Sequence, residues 1–212
     1  PRSAQAAHQL GDALGVRCEE VSIEPLLSAA EAHLQPLLHA AGSAASGATG
    51  GDTTFENVQA RLRALVLMAY VNRRGGILLN TSNKTELAMG YSTLYGDMAG
   101  ALGVIADLTK PQVYALCHHI NATSLGAAGK APIPAFVLER PASAELRADQ
   151  VDPFDYPRDA PLIESLVQHT ALPADADAGT RADVARFRRM LRAAEHKRWQ
   201  FGIVLKVSER AF

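Results

Sequence analysis

Apolar residues recur along this chain at helical and strand periods in alternation, which predicts an α/β protein with a mostly parallel sheet. The opening stretch, PRSAQAAHQLGDALG, reads as an amphipathic helix closing at Gly15. Val16 to Ile23, VRCEEVSI, predicts a short strand ending before Pro25. A helix follows over roughly Pro25 to Leu38, with Leu26, Leu27, Leu34 and Leu38 on its apolar side. Ala40 to Asp52 is rich in glycine and small residues that bury too little surface to offset ordering entropy, so a mobile connection is expected. Thr53-x-x-Glu56 has the form of a capping box, opening a helix with Val58, Leu62, Leu65, Val66, Ala69 and Tyr70 at helical spacing. Asn57 and Arg61, four apart, project from one face of that helix. Spacing alone leaves that face open to two readings, a solvated surface or the wall of a pocket.

Gly75 and Gly76 end the helix, and Ile77 to Asn80 predicts a short buried strand. Directly after it comes TSNKTELAMGYSTLYGD, Thr81 to Asp97, which sets hydroxyls, an amide, a lysine and two carboxylates at the carboxyl end of a strand. Open α/β sheets collect their ligands there, so the stretch points to a nucleotide site. A further strand is expected over Val104 to Asp107. Thr109 then caps a helix with Pro111 in its first turn. Lys110 stands at that helix's N-terminus, where the macrodipole disfavours a cation, and an anionic ligand nearby would account for it. The part from about residue 160 to 212 reads as helical.

Composition narrows the function. The 212 residues are 48% hydrophobic, with mean hydropathy −0.02, enough for one sizeable core and one domain over 1–212. Lys plus Arg number 21 against 22 for Asp plus Glu, so no net basic field holds nucleic acid, and an anionic ligand must be met locally. Cys18 and Cys117 match no metal spacing or secreted disulfide framework and are expected as small core residues in a reducing compartment. No apolar run reaches membrane-spanning length, and a cytoplasmic location is expected.

ENVQARLR at Glu56 to Arg63, TSNKTELAMGYSTLYGDMAG at Thr81 to Gly100, DLTKPQVY at Asp107 to Tyr114, PASAEL at Pro141 to Leu146 and EHKRWQ at Glu195 to Gln200 together resemble the synthetase domain of NAD synthetases. YGDMAG and PASAEL are most similar to the glutamine-dependent, two-domain type. The resemblance implies a three-layer adenine-nucleotide α-hydrolase-like fold of the ATP pyrophosphatase kind. It also implies an ATP- and magnesium-dependent amidation of deamido-NAD, with ammonia supplied from glutamine by a separate amidase domain. Residue by residue, it implies ATP contacts at Thr81, Lys110 and Ser143. Deamido-NAD contacts are implied at Asn57, Arg61, Tyr91, Ser92, Thr93, Leu94, His196 and Lys197. Glu86 matches a position that serves either as magnesium ligand or as deamido-NAD contact. Leu94 and Ala101 depart from the ammonia-dependent pattern, which has lysine and aspartate there.

The resemblance also implies a homodimer, with the helix from Asn57 to Arg73 as the dimer-facing element. The family's Gly-rich SGGxDS loop, whose backbone N–H groups cradle pyrophosphate, occurs nowhere in these 212 residues. Both ends of the chain read as cut, and the expectation is that the loop lies upstream and that this chain alone has no synthetase activity. The acidic segment Asp149 to Tyr156 is shorter than the family's substrate-covering loop. Rival readings are another ATP pyrophosphatase of the same fold, such as a GMP synthetase or an RNA-thiolating enzyme, and a non-catalytic remnant.

Overall fold

In the computed structural model, which describes residues 2–40, 53–124, 129, 131–147, 150–171 and 175–212, a three-stranded parallel sheet carries the chain. Its strands are β1 (Leu79–Asn80), β2 (Leu102–Gly103) and β3 (Ile203–Val204), in the order β1-β2-β3. Leu79 pairs with Leu102 and Asn80 with Gly103, while Leu102 and Gly103 pair on their other side with Ile203 and Val204. Parallel strands need crossovers, and helices supply them. Before β1 come α1 (Arg2–Leu14), α2 (Glu24–Ala40) and α3 (Thr54–Arg74). Between β1 and β2 lies α4 (Lys84–Met89). Between β2 and β3 lie α5 (Lys110–Thr123), α6 (Ala135–Glu139), α7 (Tyr156–Gln168), α8 (Ala178–Ala193) and α9 (Glu195–Arg198).

The short helix α4 organises the core. On α4, Lys84, Thr85, Leu87, Ala88 and Met89 are all buried, so only Glu86 meets solvent, and that in part. Asn83 starts it: its Oδ1 accepts the Glu86 N–H at 3.1 Å and Glu86 Oε2 accepts the Asn83 N–H at 3.0 Å, a reciprocal cap worth about 1 kcal/mol. Gly90 ends it at φ 66°, and an added Cβ would lie 2.6 Å from Ala194 Cβ. Ala88 and Met89 join Phe154, Tyr156, Ile163, Val167 and Phe187 in one apolar cluster. Leu87 joins Met98 and Ala106 in another, covered by Phe201 and Val204.

Between these clusters sits a charge. Lys84 is 1% exposed, and its Nζ lies 2.9 Å from Asp107 Oδ1 and 2.8 Å from Glu164 Oε1. The ammonium also donates to Ser208 Oγ at 3.0 Å and to the Arg210 carbonyl at 2.9 Å. Asp107 in turn accepts the N–H groups of Val207 and Ser208 at 2.7 and 2.6 Å and the Ser208 hydroxyl at 2.8 Å. Burial pushes the Asp107 carboxyl up, but Lys84 and the Ser208 and Val207 donors outweigh it and hold the group below the usual carboxylate value.

Several sequence-based expectations change. Val16 to Ile23 is not a strand. Val16 donates back to the Gly11 carbonyl, Val16 and Val21 are exposed, and the segment joins no ladder among the described residues. Ile77 to Asn80 narrows to Leu79–Asn80, and Ile77 and Leu79 are exposed rather than buried, since no described strand covers the outer edge of β1. The expected strand over Val104 to Asp107 is a turn, because Leu108 N–H returns to the Ile105 carbonyl and Asp107 must face the C-terminal segment. The strand lies two residues earlier.

Thr53 makes no side-chain cap. Its hydroxyl accepts from Asn57 Nδ2, and Glu56 pairs with Arg147 at 3.0 Å. Cys18 is exposed and Cys117 half-buried, so neither is a core residue. The buried residues of α3 are Ala60 and Ala64, while Leu65, Leu67, Met68 and Tyr70 stay exposed. The C-terminal part is helical only to Arg198 and then returns to the sheet as β3. Of the glycine-rich segment Ala40 to Asp52, all but Ala40 lies outside the described residues, as does Asp149. No described helix is long and apolar enough to cross a membrane.

Replacing Lys84 by methionine strands Asp107 without its cation and is expected to cost about 3–5 kcal/mol, read as a lower urea midpoint. Because the folded Asp107 pKa is depressed, its stabilisation is full above the unfolded value of 3.8 and is lost as pH falls through the folded value. Urea midpoints across the acid range should therefore fall more steeply for the parent than for Lys84→Met.

A candidate active site at the end of the first strand

Where β1 ends, Asn80 turns its amide back into the protein. Its Nδ2 donates to the Asp97 and Ala99 carbonyls at 2.8 and 3.0 Å, and its Oδ1 accepts the Ser82 N–H at 2.7 Å. That stitching holds the segment 91–99 beside the strand end. Thr93 N–H donates to Asp97 Oδ1 at 2.6 Å, and the Thr93 hydroxyl donates to Asn57 Oδ1 at 2.7 Å, tying the segment to α3. Arg61 braces it from the same helix through Nε to the Leu94 carbonyl at 3.1 Å. The shared face of Asn57 and Arg61 thus meets the predicted segment.

From the opposite side comes Lys197 of α9. Its Nζ donates to the Gly90 and Ser92 carbonyls at 2.7 and 2.6 Å, and burial lowers its pKa while Asp97 opposes the shift. A cavity of about 230 Å³ opens among these groups, lined by Asn57, Tyr91, Ser92, Thr93, Asp97 and Lys197, with Thr53, Glu56, Ala144, Leu146 and Gln150 at its rim. An adjoining cavity of about 290 Å³ shares Asp97, Ala144 and Leu146 and reaches Thr81. The Ser92 hydroxyl is buried and has no hydrogen-bond partner among the described residues, which leaves a donor and acceptor ready for a ligand.

Asp97 is partly open to solvent, yet its carboxyl is raised. Loss of hydration against the pocket walls is the largest cause, the Thr93 N–H bond pulls the other way and the charge of Glu86 adds to the rise. Tyr91 is pushed up to about 12, first by burial and then by Asp152, and its ring meets Phe154 edge-on at 5.7 Å. Tyr156 donates its hydroxyl to Asp152 Oδ2 at 2.7 Å, while Asp152 Oδ1 is buried without a partner among the described residues.

Glu86 and Lys110, expected in separate roles, form an ion pair at 3.1 Å, with Lys110 Nζ 5.7 Å from the Tyr156 ring centre. The pair lines neither cavity. Arg61 and Leu94 stand behind the wall rather than in it. Ser143 accepts the Glu145 N–H at 3.1 Å and is not among the lining residues. His196 is exposed, with its Nδ1 3.0 Å from the Ala193 carbonyl, away from the pocket that its neighbour Lys197 enters. Asp97 and the Asp152–Tyr156 couple were not among the sequence candidates. Asp97 lay within the motif but carried no assigned role, and the couple lay in a segment read only as a loop. Groups of three or more potential metal ligands do not occur among the described residues.

The sequence model of the family described as NAD synthase matches residues 1–200. The chain belongs to the NAD synthase family. The glutamine-dependent NAD(+) synthetase of Xanthomonas campestris pv. campestris (strain 8004) is 40% identical over 207 residues, covering 94% of this chain and 35% of that protein. The chain therefore spans about a third of the length of that curated relative. A glutamine-dependent NAD(+) synthetase from Cytophaga hutchinsonii superposes with a TM-score of 0.70 at 20% identity, covering 94% of this chain and 32% of the other, and shows the shared α/β fold. The Acinetobacter baumannii glutamine-dependent enzyme, solved with ADP, has a TM-score of 0.57 at 27% identity over 98% of this chain and 35% of its own. In this NAD synthase chain Tyr91, Ser92, Thr93 and Asp97, in the segment that follows the strand end, line the pocket.

Gly90→Ala tests how closely that segment approaches α8 and α9. With a left-handed φ and Ala194 in the way, it is expected to lose about 2 kcal/mol or more, seen as a lower melting temperature with α-helical content retained.

Proposed function

We propose that this chain is the synthetase portion of a glutamine-dependent NAD synthetase. The observation that carries the reading is the family match across residues 1–200, with 40% identity to a relative of that name over 94% of the chain. A carboxylate is a poor electrophile, so the carboxylate oxygen of deamido-NAD attacks the α-phosphorus of ATP and pyrophosphate leaves. Ammonia then attacks the acyl carbon, AMP leaves and one proton is lost. The ADP-bound relative supports ATP as the nucleotide.

The residues fit a division of labour. Asn57, Tyr91, Ser92, Thr93 and Lys197 line the cavity that would take deamido-NAD, with Arg61 and the Leu94 backbone holding its wall, while His196 lies outside its lining. Thr81 reaches the adjoining cavity, which we assign to ATP, with Lys110 and Ser143 outside its lining. Asp97, common to both cavities, is added to the site here. Its raised pKa suits a group that holds or accepts a proton near the attacking nitrogen.

Magnesium commonly takes one or two carboxylates and completes its shell from phosphates and water. Glu86, whose Oε1 pairs with Lys110 at 3.1 Å and whose Oε2 accepts the Asn83 N–H, is the carboxylate that would hold such an ion. When bound, the ion supplies neutralisation of phosphate charge. A homodimer through the exposed apolar face of α3 and a cytoplasmic location complete the proposal.

Calorimetry with deamido-NAD tests the reading. The chain is expected to bind it, and Ser92→Ala to weaken binding about fivefold, the worth of one hydrogen bond. The same chain given deamido-NAD, ATP with magnesium, and ammonia should form no NAD, since SGGxDS is missing from these residues. Failure to bind either deamido-NAD or ATP with magnesium would remove the proposal in favour of a non-catalytic remnant.

A further inference from the structure

A second cavity, of about 470 Å³, lies on the far side of α9, between that helix, α7, α8 and the C-terminal segment. It is larger than either lobe of the strand-end pocket and falls within the range of small-molecule sites. Leu166, Leu191 and Phe212 make its apolar floor. Its charged groups fall into two sets. Arg198 is committed: its guanidinium donates to the Leu87, Ala88 and Leu191 carbonyls and to Glu195 Oε2 at 2.6 Å, which also cancels the Glu195 charge. Arg192 and Arg210 line the cavity with no hydrogen bond or ion pair among the described residues for either guanidinium. His169 adds its imidazole from the end of α7, held there by a left-handed backbone (φ 57°) that non-glycine residues rarely adopt.

The chain's single tryptophan completes the cavity. Trp199 is 83% exposed, yet its Nε1 donates to Glu195 Oε1 at 3.0 Å, so the ring is held in place with its surface bare. An aromatic plate, two free guanidiniums and an apolar floor in one cavity match a planar ring that carries a dianion. Guanidiniums bind phosphate through paired, charge-assisted hydrogen bonds, and a base stacks on an indole. We propose that this cavity binds a nucleoside monophosphate. The site is separate from the strand-end pocket but shares a wall with it, because Trp199, just after α9, lines one side while Lys197 of α9, with its bonds to the Gly90 and Ser92 carbonyls, lines the other.

Trp199 is its own reporter. AMP titrated into the intact chain is expected to change the tryptophan emission saturably, with adenosine and inorganic phosphate each at least about tenfold weaker, because each lacks one half of the match. The double variant Arg192→Ala/Arg210→Ala should bind AMP at least about tenfold less tightly with unchanged circular dichroism, since neither side chain holds the fold together. Calorimetry on Trp199→Ala should show a similar loss. Glu86→Gln and Asn57→Ala should leave the AMP response intact. No saturable response at millimolar AMP overturns the proposal. So does a response that survives the double arginine variant, or one abolished by Glu86→Gln or Asn57→Ala, which would place the nucleotide in the strand-end pocket instead.

Discussion

An ammonium group removed from water constrains the whole arrangement of this chain. Stripping a lysine of its hydration costs several kcal/mol, so Lys84 Nζ can be buried only where oxygens converge on it. Those oxygens come from three places far apart in sequence: Asp107 after β2, Glu164 on α7, and Ser208 and the Arg210 carbonyl in the C-terminal segment. Glu164 Oε1 also accepts from Gln168 Nε2 at 2.8 Å, which extends the network along α7. The apolar clusters on either side of α4 supply most of the favourable burial, but apolar packing is non-directional. The lysine supplies direction, since its acceptors from all three segments must converge on one ammonium.

The candidate site inherits that placement. Lys84 begins the helix whose cap uses Glu86, and Thr85 Oγ1 on the same turn accepts the Lys110 N–H at 3.3 Å, setting α5 beside α4. The Glu86–Lys110 pair is therefore positioned by its buried neighbours more than by its own attraction, which solvent weakens at such partly exposed groups. At the other end of α4, the close approach of Gly90 to Ala194 brings Lys197 over the segment 90–93. The pocket floor is held between these two anchors, one ionic and one steric.

Much of this was legible in the chain's own text, and the reasons for the exceptions are physical. The segment Thr81 to Asp97 could be placed at a strand end because its polar residues follow an apolar run directly. Asn57 and Arg61 could be placed together because helical spacing dictates it. Lys84 could not be read as buried, since a lysine in sequence carries no sign of which distant carboxylates will meet it. The same holds for Asp107, whose donors Val207 and Ser208 lie 100 and 101 residues away. Val16 to Ile23 alternated well enough for a strand, but a strand exists only where a ladder receives it, and pairing is a property of the fold. β3 went unseen because two residues of strand after a run of helices leave no periodicity to detect. His196 and Lys197 are adjacent in sequence, yet only one enters the pocket, since neighbours on a helix point some 100° apart.

The Lys84 network also has an order in time. Synthesis runs from the N-terminus, so Lys84 is made before each of its partners, Asp107, Glu164, Ser208 and Arg210 in turn. Without residues 203–210, β2 has no β3 partner and the lysine lacks two of its acceptors. Contacts across such separations are slow to form because loop closure must precede any gain from them. The strand-end pocket is therefore expected to take its final shape only after β3 and the segment that follows it have docked.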